Sequence, residues 1–257
     1  MTIKNKQKNQ KYWEFKNQTD DSADLYLYIE IASWGGGYYA HSAQSFKREL
    51  DSLGEIKTLN VYINSPGGDV FEGNTIYNML KRYSAQVNIH IDGLAASIAS
   101  VIAMSGTVYM PKNTMMMIHN AWTYTYGNAN DLRKIADDLD KVNQSLRQAY
   151  LQKAGDKLSE EDLIALMDNE EWLTAQECYD YGLCDVVEEE NNIAACISED
   201  LFSKYRNVPK TLLTRNITNS ISVLEMEKRK KLSEQARQNI EYTKTILGGI
   251  CNGEDII

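Results

Sequence analysis

Between Asp24 and Pro111 the apolar residues repeatedly change their spacing from every second position to every third or fourth. That switching constrains the fold more than any other feature of the chain. In "DLYLYIEIAS", Leu25, Leu27, Ile29 and Ile31 alternate with Tyr26, Tyr28 and Glu30, the period-two signature of a strand. A glycine loop, Gly35 to Gly37, ends it. From His41 to Leu53 the spacing of Phe46, Leu50 and Leu53 predicts a helix, and "TLNVYIN" then alternates Leu59, Val61 and Ile63 as a second strand. Ile76, Met79, Leu80 and Tyr83 fall on one helical face between Val70 and Tyr83, and "QVNIHID" follows as a third strand. Strands alternating with helices of this length predict parallel pairing through crossover connections, an α/β layer architecture.

The pattern continues with a helix from Ser97 to about Ser105 and two short strands, "TVYMP" and "TMMMIHN", around a turn at Lys112 and Asn113. A long helix spans 128 to 153, where Leu132, Ile135, Leu139, Val142, Leu146 and Ala149 make a narrow apolar seam on a charged helix. So narrow a stripe suits packing against another helix, including one from a neighbouring subunit. Ser159 with Asp162, and Thr174 with Glu177, have the spacing of capping boxes, and the second helix should stop near Gly182. Residues 1–23 are polar and aperiodic, which predicts a loose arm with Trp13 and Phe15 as anchors and order beginning near Asp24. After "EEENN" the pattern weakens, so 24–190 reads as the folded domain. Residues 191–257 read as a peripheral, partly helical extension containing "EMEKRKKLSEQARQ".

With 257 residues, 43% of them hydrophobic, the chain can bury a full core. A net charge of -9 opposes attraction to nucleic-acid phosphate. Cys178, Cys184, Cys196 and Cys251 are widely spaced without a C-x-x-C, which predicts reduced thiols in a cytoplasmic protein rather than a zinc site. No apolar run is long enough to cross a bilayer and no apolar segment follows the basic N-terminal residues, so neither membrane nor export is expected.

"INSPGGD" and "DGLAAS", the latter within "IDGLAASIAS", both lie just past predicted strand ends, where α/β sheets present their sites. The second surrounds one hydroxyl, that of Ser97, with Gly93, Ala95, Ala96 and Ala99. Gly67 and Gly68 allow a close backbone approach, and Ser97 would open a helix, so the amides of Gly68 and Ile98 are candidates for an oxyanion hole beside a serine nucleophile. Each motif also has a purely structural reading, the glycines as a plain turn and the serine as a plain helix cap. A serine nucleophile needs a base. Of His41, His90 and His119, the last is best placed, at the end of a strand and before a loop. An orienting carboxylate is available in "MDNEEWLTAQE" as Asp168, Glu170 or Glu171, among which composition does not choose.

Taken together, "YINSPGGDVFEGNTIYNML", "DGLAASIAS", "MMMIHNAW" and "EWLTAQECYDYGLCD" resemble, in order and spacing, the Clp protease proteolytic subunit (ClpP) family. The likeness runs from about Leu25 to Val187. It implies a ClpP/crotonase fold with a protruding handle helix, and a serine peptidase in which Ser97 is the nucleophile and His119 the base. It also implies the amides of Gly68 and Ile98 as the oxyanion hole, with no cofactor or metal. Aligning "WLTA" on the family pattern puts Glu170 where the family usually has an aspartate, one methylene longer, with Asp168 as the second choice. The handle would interlock homo-oligomeric rings around a chamber that admits protein or peptide substrates.

The "DGLAAS" variant, "KYWEFKN" and the long extension resemble the head maturation proteases of tailed phages and prophages, which trim scaffold or capsid protein. The N-terminal arm does not resemble the axial loops that engage a Clp ATPase, so that partnership is in doubt. Alternatives are a cellular protein-turnover peptidase working with a Clp ATPase, an inactive assembly protein on the same fold, and a crotonase-type acyl-CoA enzyme.

Overall fold

One strand, β4 (Gln86–Ala96), organises the sheet. Its first half pairs in parallel with β3 (Thr58–Ser65) on one side and β5 (Thr107–Pro111) on the other. Its last three residues leave β5 and pair instead with β6 (Met115–Ile118), with Leu94 opposite Met115 and Ala96 opposite Met117. The sheet is completed by β1 (Trp13–Lys16), β2 (Ser22–Leu27), β7 (Glu171–Thr174) and β8 (Val186–Glu188). The main order is β1-β2-β3-β4-β5-β8, with β6 and β7 branching from the end of β4.

The structure is a computed structural model of the chain, which divides into units 1–213 and 214–257. Residues 11–32, 42–190, 205, 207 and 208 are described, all in the first unit. The expected helix in "EMEKRKKLSEQARQ", the 35–37 glycine loop and His41 lie outside the described residues.

The expected alternation is observed. Helix α1 (Ala43–Asp51) joins β2 to β3, α2 (Val70–Lys81) joins β3 to β4, and α3 (Ile98–Ala103) joins β4 to β5. The pairs β2–β3, β3–β4, β4–β5, β4–β6 and β5–β8 are all parallel. Leu25, Leu27, Leu59, Val61, Ile63, Ile89 and Ile91 are buried and form the core beneath the helices. On the other face Tyr26, Tyr62, His90 and Tyr109 stand in register on four adjacent strands, their rings stacked 4.8 to 5.1 Å apart. His90 therefore belongs to a structural stack.

Three expectations are corrected. First, 1–23 is not wholly a loose arm. Strand β1 pairs antiparallel with β2, and Tyr12 and Trp13 are each only 2% exposed. The Trp13 indole donates to Glu49 at 3.1 Å and its ring meets Phe46 edge-on. A four-residue strand carries too little alternation to show as a period; ring packing fixes it. Second, "DGLAAS" does not lie past a strand end, because β4 runs through Ala96. Residues 91–96 are all buried, so both faces are covered and the alternation that marks a half-exposed strand vanishes. Third, the segment after 190 is not merely peripheral. The first unit reaches Leu213, and Tyr205 and Val208 pack on the domain.

The long helix is α4 (Ala129–Ala154), followed by α5 (Glu160–Asp168) and α6 (Ala175–Asp180). Ser159 and Thr174 cap these last two as expected, and Gly182 follows α6 at positive φ. On α4, Leu146 and Ala149 are buried, whereas Leu132 is 44% exposed and Ile135, Leu139 and Val142 are only half-buried. The N-terminal part of the seam thus has little cover from its own chain.

Replacing Trp13 tests the correction at the N-terminus. Trp13→Ala should cost about 3–5 kcal/mol and lower the thermal midpoint, whereas Lys16→Ala, at an exposed surface ion pair, should leave the midpoint unchanged. A loose arm would make the two variants indistinguishable from the native chain.

Candidate active site

Ser97 sits between β4 and α3 in a backbone conformation that few non-glycine residues adopt, φ 55° and ψ −131°. Such strain persists only where surrounding bonds fix it, and here they do. The Ser97 amide donates to the Met117 carbonyl at 2.9 Å. The Ser97 carbonyl accepts from both the amide and the hydroxyl of Ser100, at 2.9 and 2.6 Å. With its proton so committed, Ser100 accepts from the Tyr150 hydroxyl 2.6 Å away, tying the turn to α4. Ser97 stands at the cap position, yet its side chain makes no capping bond. Its Oγ lies instead 2.8 Å from His119 Nε2. The plain-cap reading of Ser97 therefore fails at its hydroxyl.

The glycine turn packs against this serine. A Cβ on Gly67 would meet Ser97 Cβ at 2.6 Å and the Ile98 amide nitrogen at 3.1 Å. Gly68, at φ 145°, would place a Cβ 2.0 Å from the Ile31 carbonyl oxygen. Only glycine lets the three segments approach this closely. Ile31 clamps the turn from the other side, donating to Gly67 and accepting from Asp69, both at 2.7 Å. Ile98 is the first residue of α3, so its amide has no carbonyl one turn earlier to bond. The turn, Ser97, His119, Trp122 and Tyr205 line a cleft of about 260 Å³.

His119 immediately follows β6, and the fork of β4 brings it to Ser97. Burial pushes its pKa below the usual 6.5, while the nearby Glu170 carboxylate pulls the other way. A neutral ring that accepts from the serine through Nε2 carries its proton on Nδ1. Of the three candidate carboxylates, Glu170 is the one whose charge acts on His119. Asp168 accepts from the Asn120 side chain at 2.6 Å, and Glu171 begins β7, opposite Ile118. A second cleft of about 430 Å³ also reaches His119 and is lined by Asp168, Glu170 and Asn207.

Glu170 has φ 53°, a second strained position. Its Oε1 accepts from the Asn207 amide at 3.0 Å. Tyr205 meets His119 edge-on at 5.7 Å and donates its hydroxyl to the Pro66 carbonyl. Sequence reasoning missed Tyr205 and Asn207: they lie in an aperiodic stretch, and only the folded arrangement brings them to the cleft. Among the described residues no group of three or more His, Cys, Asp or Glu side chains is placed to hold a metal, and no helix is long and apolar enough to cross a membrane.

The family model "Clp protease" matches residues 40–191. An ATP-dependent Clp protease proteolytic subunit of Bacteroides fragilis (strain ATCC 25285) is 33% identical over 154 residues, covering 58% of this chain and 73% of that protein. Its namesake in Porphyromonas gingivalis is 31% identical over 157 residues, covering 60% and 70%. Subunit 1 of Salinibacter ruber is 33% identical over 150 residues, covering 57% and 63%.

The electrostatics can be measured without assuming an activity. With three histidines in the chain, an NMR titration of the His119 ring should give a midpoint below 6.5. Glu170→Gln removes the charge that raises this value, so the midpoint should fall further. An upward shift in that variant would contradict the arrangement.

Proposed function

The chain belongs to the Clp protease family, and from that premise we propose that it is a serine endopeptidase acting through Ser97, His119 and Glu170. The observation that carries this reading is the 2.8 Å contact between Ser97 Oγ and His119 Nε2 beside the Gly67–Gly68 turn. Ser97 Oγ attacks the peptide carbonyl, a C–O bond forms, and His119 Nε2 takes the hydroxyl proton. The amides of Gly68 and Ile98 receive the developing oxyanion. Collapse of the tetrahedral species breaks the C–N bond, and His119 returns the proton to the leaving amine. Water, deprotonated by His119, then attacks the acyl-serine to release the acid and restore the hydroxyl. Glu170 orients the imidazole and stabilises its charged form. The charge that Glu170 exerts on His119, and the diversion of Asp168 to Asn120, support it as the third member. Side chains and water account for every proton and electron pair in the sequence, and the dyad disfavours both the acyl-CoA and the inactive-scaffold readings.

The sparsely covered seam of Leu132, Ile135, Leu139 and Val142 on α4 supports assembly into homo-oligomeric rings through this helix. At the finer level the proposal is a phage or prophage head maturation protease, with scaffold or capsid protein as substrate, in a bacterial host cytoplasm. Two features outside the family-matched residues support it: the N-terminal segment is engaged in β1, and the chain continues well past residue 191. A second reading, protein turnover with a Clp ATPase, is favoured by the relatives, which are named as ATP-dependent proteolytic subunits.

Peptide and protein hydrolysis by the native chain, with and without a Clp ATPase and ATP, separates these readings. Native protein should cleave an unfolded protein substrate without the ATPase, and Ser97→Ala should abolish cleavage. Glu170→Gln should lower kcat by about 10²–10⁴-fold, as expected when the base loses its orienting charge. Cleavage that appears only with the ATPase would favour the turnover reading; a folded native protein that cleaves nothing would contradict the peptidase assignment.

A further inference from the structure

The histidine and the glutamate are each held by a segment that begins beyond the family-matched residues 40–191. Tyr205 presents its ring edge-on to His119, at an interplanar angle of 81°, and edge-on to Trp172 at 5.8 Å. The far end of Tyr205 is fixed by the hydroxyl bond to Pro66, the residue before the glycine turn. One side chain thus links the base, strand β7 and the proposed oxyanion turn. Asn207 closes a second link. Its amide donates to Glu170 Oε1 at 3.0 Å and its side chain donates to the Asn169 carbonyl at 2.7 Å, bracketing the strained Glu170 backbone. Val208 and Tyr205 anchor this segment on the apolar cluster of Leu94, Ala96, Met117 and Trp172.

We propose that Tyr205 and Asn207 are positioning residues, Tyr205 for the imidazole of His119 and Asn207 for the carboxylate of Glu170, so that the extension supplies part of the alignment of the site. This rests on the serine-peptidase reading above. The same segment could be imagined as a strap that blocks the cleft. Against that, the Ser97–His119 contact is formed at 2.8 Å with Tyr205 in place, and the tyrosine hydroxyl is directed to a backbone carbonyl. Among the described residues, the titratable groups facing His119 are Glu170, Asp168 and Tyr205, with Glu30 at the rim of the cleft that holds Ser97. Tyr205 stays protonated, since its burial and the nearby Glu30 and Glu170 charges raise its pKa. Removing the tyrosine ring hydrates His119 and raises its midpoint. Loosening Glu170 weakens the charge that sustains the midpoint and lowers it.

The test uses the full chain with Tyr205→Ala, Tyr205→Phe and Asn207→Ala, each checked by thermal melting. Steady-state peptide hydrolysis is followed across pH, alongside NMR titration of His119. In Tyr205→Ala, kcat should fall about 10–100-fold with KM changed far less, as expected from misplacing a catalytic group. The acid limb of kcat/KM and the NMR midpoint should both move up toward 6.5. Tyr205→Phe keeps the ring and should keep the native midpoint while losing part of kcat. Asn207→Ala keeps the backbone N–H that meets Glu170 but removes the side-chain bond to the Asn169 carbonyl that holds it in place, so the midpoint should shift down, opposite to Tyr205→Ala, which a general loss of stability does not produce. Should Tyr205→Ala not fold, the native midpoint with lowered kcat of Tyr205→Phe, beside the lowered midpoint of Asn207→Ala, carries the test. Native-like kcat and midpoints in folded variants, or faster hydrolysis by Tyr205→Ala, would overturn the proposal. If native protein hydrolyses nothing, the peptidase reading fails, and the NMR midpoints alone decide whether the two residues position His119 and Glu170.

Discussion

The site depends on the way β4 changes partner. A strand that paired with β5 along its whole length would leave no room beside Ala95 and Ala96 for another. By releasing β5 after His90 and taking up β6 from Leu94 onward, β4 draws the end of β6 alongside its own end. The Ser97 amide then bonds Met117, and His119, two residues on, reaches the Ser97 hydroxyl. Backbone hydrogen bonds set this geometry before either side chain contributes.

The same fork explains the small residues around the serine. Ala95 and Ala96 are buried between β3 and β6, and α3 turns away at Ser97 only because the Gly67–Gly68 turn can pass within contact distance of it. The strain at Ser97 and again at Glu170 is held by bonds to neighbours, Ser100 and Met117 for one, and Met167 with the Asn207 side chain on the Asn169 carbonyl for the other. Strain at the proposed nucleophile and at the proposed orienting carboxylate fits a preorganised site. Burial favours the neutral form of His119, and the Glu170 charge opposes that shift.

Much of this was legible in the residues. Half-exposed strands such as β3 advertise themselves by alternation, and helices such as α2 by one apolar face, because water covers the other side. The glycine pair and the small residues at 93–99 pointed to close approaches around a hydroxyl, and those approaches exist. What stayed hidden has a physical cause in each case. The end of β4 is covered on both faces, so it shows no period. Strands β1 and β7 have four residues each, and pairing rather than pattern defines them. The proposed preference for Glu170 over Asp168 rests in part on the Asn120 side chain occupying Asp168, a contact between residues 48 apart in sequence. Tyr205 and Asn207 reach the cleft by packing across the chain, where no local spacing announces them.

The central claim is that Ser97 is a nucleophile activated by His119. Intact-mass labelling of the native chain, Ser97→Ala and His119→Ala with a fluorophosphonate tests it most directly. One adduct on the native chain, absent from Ser97→Ala and formed much more slowly on His119→Ala, is the predicted result. A folded native protein that takes no label, or a Ser97→Ala variant that takes as much as the native chain, would contradict it.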